Sequence, residues 1–125
     1  MELKEAHFPG TVPIDSYGGG GFRFAGMSHR GSIMALPSGV YAWDIDDPGA
    51  LTPNALSRVF QEAALPQLLL VGTGRTLTPA PMAVRLAFKQ RLVGLETMDT
   101  GAAARTYNVL LAEGRLVGAA LIAVE

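Results

Sequence analysis

The stretch Glu96-Thr-Met-Asp-Thr-Gly-Ala-Ala-Ala-Arg-Thr-Tyr-Asn-Val-Leu110 gathers carboxylates, hydroxyls, a guanidinium, a phenol and an amide around the start of a helix. A second polar cluster, Gly72-Thr73-Gly74-Arg75, follows the apolar run Leu68-Leu-Leu-Val71. The chemistry these residues offer together is the holding of a small anion. Free backbone N–H groups of a glycine loop and the positive end of a helix attract negative charge, and Arg75 and Arg105 would add to it. Gly72, Thr73, Gly74, Arg75, Asp99, Thr100, Arg105 and Asn108 are therefore the candidate residues of one crevice.

A plainer account competes at each position. Gly72-Thr-Gly74 lacks the third glycine of a dinucleotide fingerprint and the lysine of a phosphate loop, so a strand-to-helix turn explains it better. Asp99 and Thr100 can each accept from a free N–H at the helix start, an interaction of about 1 kcal/mol that needs no catalysis. Tyr107 shares a helix face with Ala103, Leu110 and Leu111, which predicts a core position with its hydroxyl tied to a neighbour. Arg105 and Asn108 either tie the helix to the loop after Val71 or face a ligand, and tying is preferred because buried polar groups are normally satisfied by protein partners. Glu96 and Asp99, three apart at a strand end, point to opposite faces and make no acid–base dyad.

Whole classes of function drop out. The chain has no cysteine, which removes disulfides, thiolate metal sites and a cysteine nucleophile. His7 and His29 are its two histidines, and neither has the spacing to acids of a metal set; surface positions are predicted for both. No Gly-x-Ser-x-Gly elbow occurs and no histidine follows in the second half to serve as its base. No catalytic residue, metal or cofactor is expected. Ten Lys and Arg against eleven Asp and Glu, for a net charge of −1, leave no basic face for nucleic acid.

With 125 residues, 49% of them hydrophobic, one domain with one core is expected. No run approaches the roughly 20 apolar residues that span a bilayer, and the first residues lack the apolar core of a signal peptide. A cytoplasmic, soluble protein without direct membrane insertion is predicted.

The elements that must position the crevice divide the chain in two. Residues 1–13 are expected to be irregular or loosely ordered. In the first half, Ile14 to Ala25 reads as strand interrupted by Gly18-Gly-Gly-Gly21, a hairpin tip or bulge. Ser32–Leu36 and Gly39–Val-Tyr-Ala-Trp43 flank the turn signature Pro37-Ser-Gly39. In the second half, Thr52-Pro53 starts a helix running toward Leu65-Pro66, and Leu68–Val71 reads as a strand buried on both faces. A helix over about Pro81–Arg91, a strand over Val93–Thr97, a helix ending near Glu113-Gly114 and a strand over Leu116–Val124 complete two consecutive βαβ units, predicted to place parallel strands side by side. The expected fold is a three-layer α/β sandwich. Its mixed sheet carries helices on both faces, with an antiparallel N-terminal half and a βαβαβ C-terminal half.

Tyr17-Gly-Gly-Gly-Gly-Phe22, Gly31-Ser32, Leu36-Pro37, Trp43, Leu70-Val-Gly-Thr-Gly74, the whole of Glu96–Leu110 and Glu113-Gly-Arg115 together give the chain a family resemblance from Ile14 to Ile122. It resembles a family of small α/β proteins of largely unknown function that includes the mitochondrial complex I assembly factor 3 and adipogenesis-associated domain proteins. The resemblance implies a three-layer fold with a mixed sheet. It also implies that mitochondrial members help assemble respiratory complex I by binding partner proteins rather than turning over a substrate. A non-catalytic protein-interaction or assembly-accessory role is therefore expected, with a membrane-complex component as a partner. No targeting peptide is read in the first residues, as suits a bacterial or mature form. The alternatives are a small-molecule or anion binder, including an enzyme, acting through the crevice, and a structural homodimer joined by an apolar face around Tyr41 and Trp43.

Overall fold

The computed structural model describes residues 8–125, so His7 and residues 1–7 of the segment expected to be irregular lie outside it. In chain order the elements are β1 (Phe8–Pro9), β2 (Ser16–Gly18), β3 (Gly21–Phe24), β4 (Met27–Arg30), β5 (Ser32–Leu36), β6 (Gly39–Trp43), 3-10 helices over Pro48–Ala50 and Asn54–Gln61, β7 (Leu68–Gly72), α1 (Met82–Gln90), β8 (Gly94–Met98), α2 (Thr100–Ala112) and β9 (Val117–Leu121). Six strands form one sheet in the order β1-β6-β5-β9-β7-β8, and β2-β3-β4 form a second, smaller one. β7 runs parallel to both β8 and β9, whereas β5 is antiparallel to β6 and β9.

Side chains alternate across the large sheet and so feed two cores. Leu69 and Val71 of β7 join Met34, Leu36, Tyr41 and Trp43 on one face, beneath Leu56 and Val59 of the longer 3-10 helix and Val84 and Phe88 of α1. Leu70 points the other way, with Ile33, Ala35, Val40, Ala119 and Leu121, toward Ala103, Ala104 and Tyr107 of α2 and Phe22 and Phe24 of the small sheet. Each large apolar side chain buried there contributes roughly 1.5–3 kcal/mol. The mixed sheet with helices on both faces is thus present as the sequence predicts, with the small sheet sharing a layer with α2.

Three features depart from the sequence reading. The segment after Thr52-Pro53 is a 3-10 helix. Its two fully buried side chains, Leu56 and Val59, are three residues apart, the spacing that stacks them in a helix of three residues per turn. Thr52 still caps it, accepting from Ala55 N at 3.1 Å. β1 and β4 form without an apolar run to announce them; β4 reads Met-Ser-His-Arg and holds His29 half-buried in a strand. Finally, β9 lies beside β7 and away from β8, so the second crossover steps over a strand. All five residues of β9 are buried, while β8 carries exposed Gly94 and Glu96. The apolar strand takes the interior and the polar one the edge.

The four-glycine run is a hairpin tip. Gly19 and Gly20 adopt φ of 59° and 82° between β2 and β3, a region that costs other residues about 1–2 kcal/mol.

Candidate functional site

Gly72 ends β7 directly against the start of α2: a Cβ added there would lie 2.9 Å from Thr100 Cα. This approach brings Gly72, Thr73, Gly74, Asp99 and Thr100 together, as their positions at a strand end and helix start require. Their polar atoms are spent on the chain itself. Thr100, fully buried, donates its hydroxyl to Ile122 O at 2.7 Å and accepts from Gly74 N at 2.9 Å. The Thr73 hydroxyl lies 2.7 Å from Thr76 O and 3.1 Å from Met98 O, and it accepts from Thr78 N at 3.0 Å. Asp99 caps α2 by accepting from Ala102 N at 2.9 Å.

Arg75, Arg105 and Asn108 part company. Arg75 is exposed at the wall of a cleft of about 230 Å³ whose lining includes Tyr17, Gly74, Asp99, Gly101 and Glu125. Arg105 and Asn108 border a second depression of about 310 Å³ with Ile14, Ser16 and Tyr17. Tyr17 separates the two by lying over Gly101, where a Cβ would come within 2.8 Å of its Cζ. Two carboxylates, Asp99 and Glu125, face one guanidinium in the first cleft, a balance that opposes an anion. Tyr17 and Glu125 escape sequence reasoning because neither carries a local signal of its distant neighbour.

Asn108 does not reach the loop after Val71. Its Oδ1 accepts from Ile14 N at 2.8 Å and its Nδ2 donates to Ile14 O at 2.7 Å, across 94 residues of chain. The amide thus clamps the segment leading into β2 onto α2. Asn108→Ala should lower stability by about 1–3 kcal/mol, since both backbone groups of Ile14 lose their partner. Urea unfolding measures the loss, and faster hydrogen exchange at Ile14 identifies its origin.

Tyr107 occupies the core as predicted, but its hydroxyl has no hydrogen-bond partner and is fully buried. Burial pushes the phenol from 10.0 up to about 12, because the phenolate would lose its hydration. Above pH 10 the unfolded chain releases this proton while the folded chain keeps it, so stability falls through pH 10–12, by about 2 kcal/mol at the upper end. Tyr107→Phe should flatten that fall and raise stability at neutral pH by about 1 kcal/mol, because an unpaired buried hydroxyl is removed. Unfolding midpoints at pH 7 and pH 11 test both halves.

A tryptophan at a strand end is more readily a core anchor than half of a protein-binding patch, and Trp43 is a core residue. Tyr41 and Trp43 are 9% and 7% exposed, and Trp43 Nε1 donates to Ala55 O at 2.9 Å. They pack under the longer 3-10 helix and offer no open dimer face. Among the described residues no cluster of His, Asp and Glu is placed to hold a metal ion, and no helix is long and apolar enough to cross a membrane.

A mixed sheet covered by α1 on one face and by α2 with a small antiparallel sheet on the other defines a three-layer α/β protein. The chain belongs to the family described as protein of unknown function (DUF498/DUF598), whose model matches residues 14–122. It is 42% identical over 123 residues to an uncharacterized protein of Rhodobacter capsulatus, covering 98% of this chain and 93% of that one. It is 34% identical over 122 residues to NADH dehydrogenase [ubiquinone] 1 alpha subcomplex assembly factor 3 of Mus musculus, covering 98% of this chain but 66% of the mouse protein. Among solved structures, the crystal structure of an outer membrane protein from Bartonella henselae superposes with a TM-score of 0.91 at 52% identity, covering 95% of this chain and all of that one (100%).

Proposed function

We propose that this is a protein-interaction, assembly-accessory protein without catalysis of its own, acting in the cytoplasm on a component of a membrane-bound respiratory NADH dehydrogenase. The observation that carries the reading is the 34% identity to the mouse assembly factor across 98% of the chain. The candidate crevice supports it, since Thr73, Asp99, Thr100 and Asn108 all spend polar atoms on their own backbone. Deletion of the gene in its source organism is the test, with assembled NADH dehydrogenase followed on native gels and by membrane NADH oxidation. Loss of assembled complex, restored by the wild-type gene, is the expected result. Unchanged complex in the deletion strain sinks the proposal.

A second reading, a small anion held by the exposed guanidinium of Arg75, must overcome the carboxylates of Asp99 and Glu125 that line the same cleft of about 230 Å³. Thermal-shift titration with inorganic phosphate and with small dicarboxylates tests it. A stabilisation that Arg75→Ala abolishes supports it, and no shift for either ligand class ends it.

A further inference from the structure

β8 closes one end of the six-stranded sheet. At its two ends Gly94 N donates to Gln67 O at 2.9 Å and Met98 O accepts from Thr73 N at 2.8 Å. In a parallel ladder alternate residues of a strand make both bonds to the neighbour, so Gly94, Glu96 and Met98 face β7. The N–H and C=O groups of Leu95 and Thr97 therefore point away from the sheet, where no other strand among the described residues meets them.

Beside this open edge lies a groove of about 450 Å³ between α1 and β8, with Ala80, Phe88 and Leu95 on its apolar side and Arg85 and Lys89 on its rim. Both cations are exposed and have no ion-pair partner among the described residues. Large apolar side chains cluster around the same helix: Leu77, Met82, Leu86 and Leu92 are 58%, 59%, 50% and 91% exposed. Open backbone groups, an apolar groove and unpaired cations thus coincide on one side of the molecule.

We propose that β8 and the α1 groove dock an extended segment of a partner protein, added as a further strand beside Leu95 and Thr97, with apolar and acidic side chains on the face toward α1. Main-chain bonds to the edge give affinity and the groove gives selectivity in this mode of recognition. The free charges choose the occupant. A second copy paired through the same edge would set Arg85 and Lys89 against their own counterparts, a like-charge arrangement that disfavours self-pairing, whereas an acidic segment satisfies them.

The inference rests on the interaction reading and supplies its surface. A random 12-residue peptide library displayed on phage, panned against the full chain, tests the surface independently of the deletion experiment. Peptides mixing acidic and apolar residues should be enriched. Their affinity should fall about tenfold or more in R85E/K89E, and also in Thr97→Pro, which removes an outward-facing N–H on an edge strand, but much less in Thr97→Ala, which trims the same groove side chain and keeps the N–H. Arg115→Glu, in the turn before β9, should bind as wild type. Circular dichroism and melting temperature establish that each variant is folded.

Enrichment of peptides without acids, no enrichment, or equal binding by folded R85E/K89E overturns the docking surface while leaving the assembly role to stand or fall on the deletion strain. A concentration-dependent dimer in sedimentation, abolished by Thr97→Pro, overturns it in favour of self-association.

Discussion

Thr100→Val should lower the unfolding free energy by about 3 kcal/mol, although it removes no volume to speak of. The hydroxyl it replaces is fully buried and joins two chain segments, donating to Ile122 O at 2.7 Å and accepting from Gly74 N at 2.9 Å. Valine keeps the shape and offers neither bond, leaving the Ile122 carbonyl without its buried donor, at about 1–3 kcal/mol, and the half-exposed Gly74 N–H without its partner, at about 1 kcal/mol. Thr100→Ser keeps both bonds and should recover most of the loss. Urea denaturation of the three proteins distinguishes the hydroxyl from the methyl. If valine matches wild type, the junction of β7, α2 and the chain after β9 is not held by this side chain.

Gly21→Ala carries the other large effect, for a steric reason. A Cβ at Gly21 would overlap the His29 carbonyl oxygen and lie 3.0 Å from the carbonyl carbon, both backbone atoms of the neighbouring β4. No rotamer relieves that overlap, so β4 must move away from β3, disturbing the small sheet that carries Phe22 and Phe24 into the core. A loss of about 3 kcal/mol is expected, or a fall in melting temperature of roughly 10 °C for a domain of this size. Gly19→Ala is the control. Nothing lies within 4 Å of its would-be Cβ and φ is +59°, so only the left-handed backbone is strained, at about 1–2 kcal/mol. Equal melting temperatures for the two variants would refute the account of Gly21.

What the sequence made legible was local. Asp99 caps α2 through a bond to Ala102, three residues on, and such spacing is written directly in the chain. β7 announces itself because both its faces are buried. The candidate crevice was legible to the same extent: Gly72–Gly74 and Asp99–Thr100 meet because a strand end and a helix start adjoin. Partnerships across long stretches of chain were not. Asn108 with Ile14, Tyr17 over Gly101 and Thr100 with Ile122 depend on which layers face each other, and polar residues carry no mark of a distant partner. The place of β9 was hidden likewise, since connectivity favours sequential neighbours while burial rewards putting the most apolar strand inside.

The order β1-β6-β5-β9-β7-β8 bears on synthesis as well as on the finished molecule. Among the described residues, the antiparallel pair β5 and β6 is joined in the sheet to the parallel pair β7 and β8 by β9, the last of these strands in chain order. The central ladder, Ile33–Ala35 against Ala119–Leu121 and Leu68–Gly72 against Val117–Leu121, can therefore pair only after every other strand of the sheet has been synthesised.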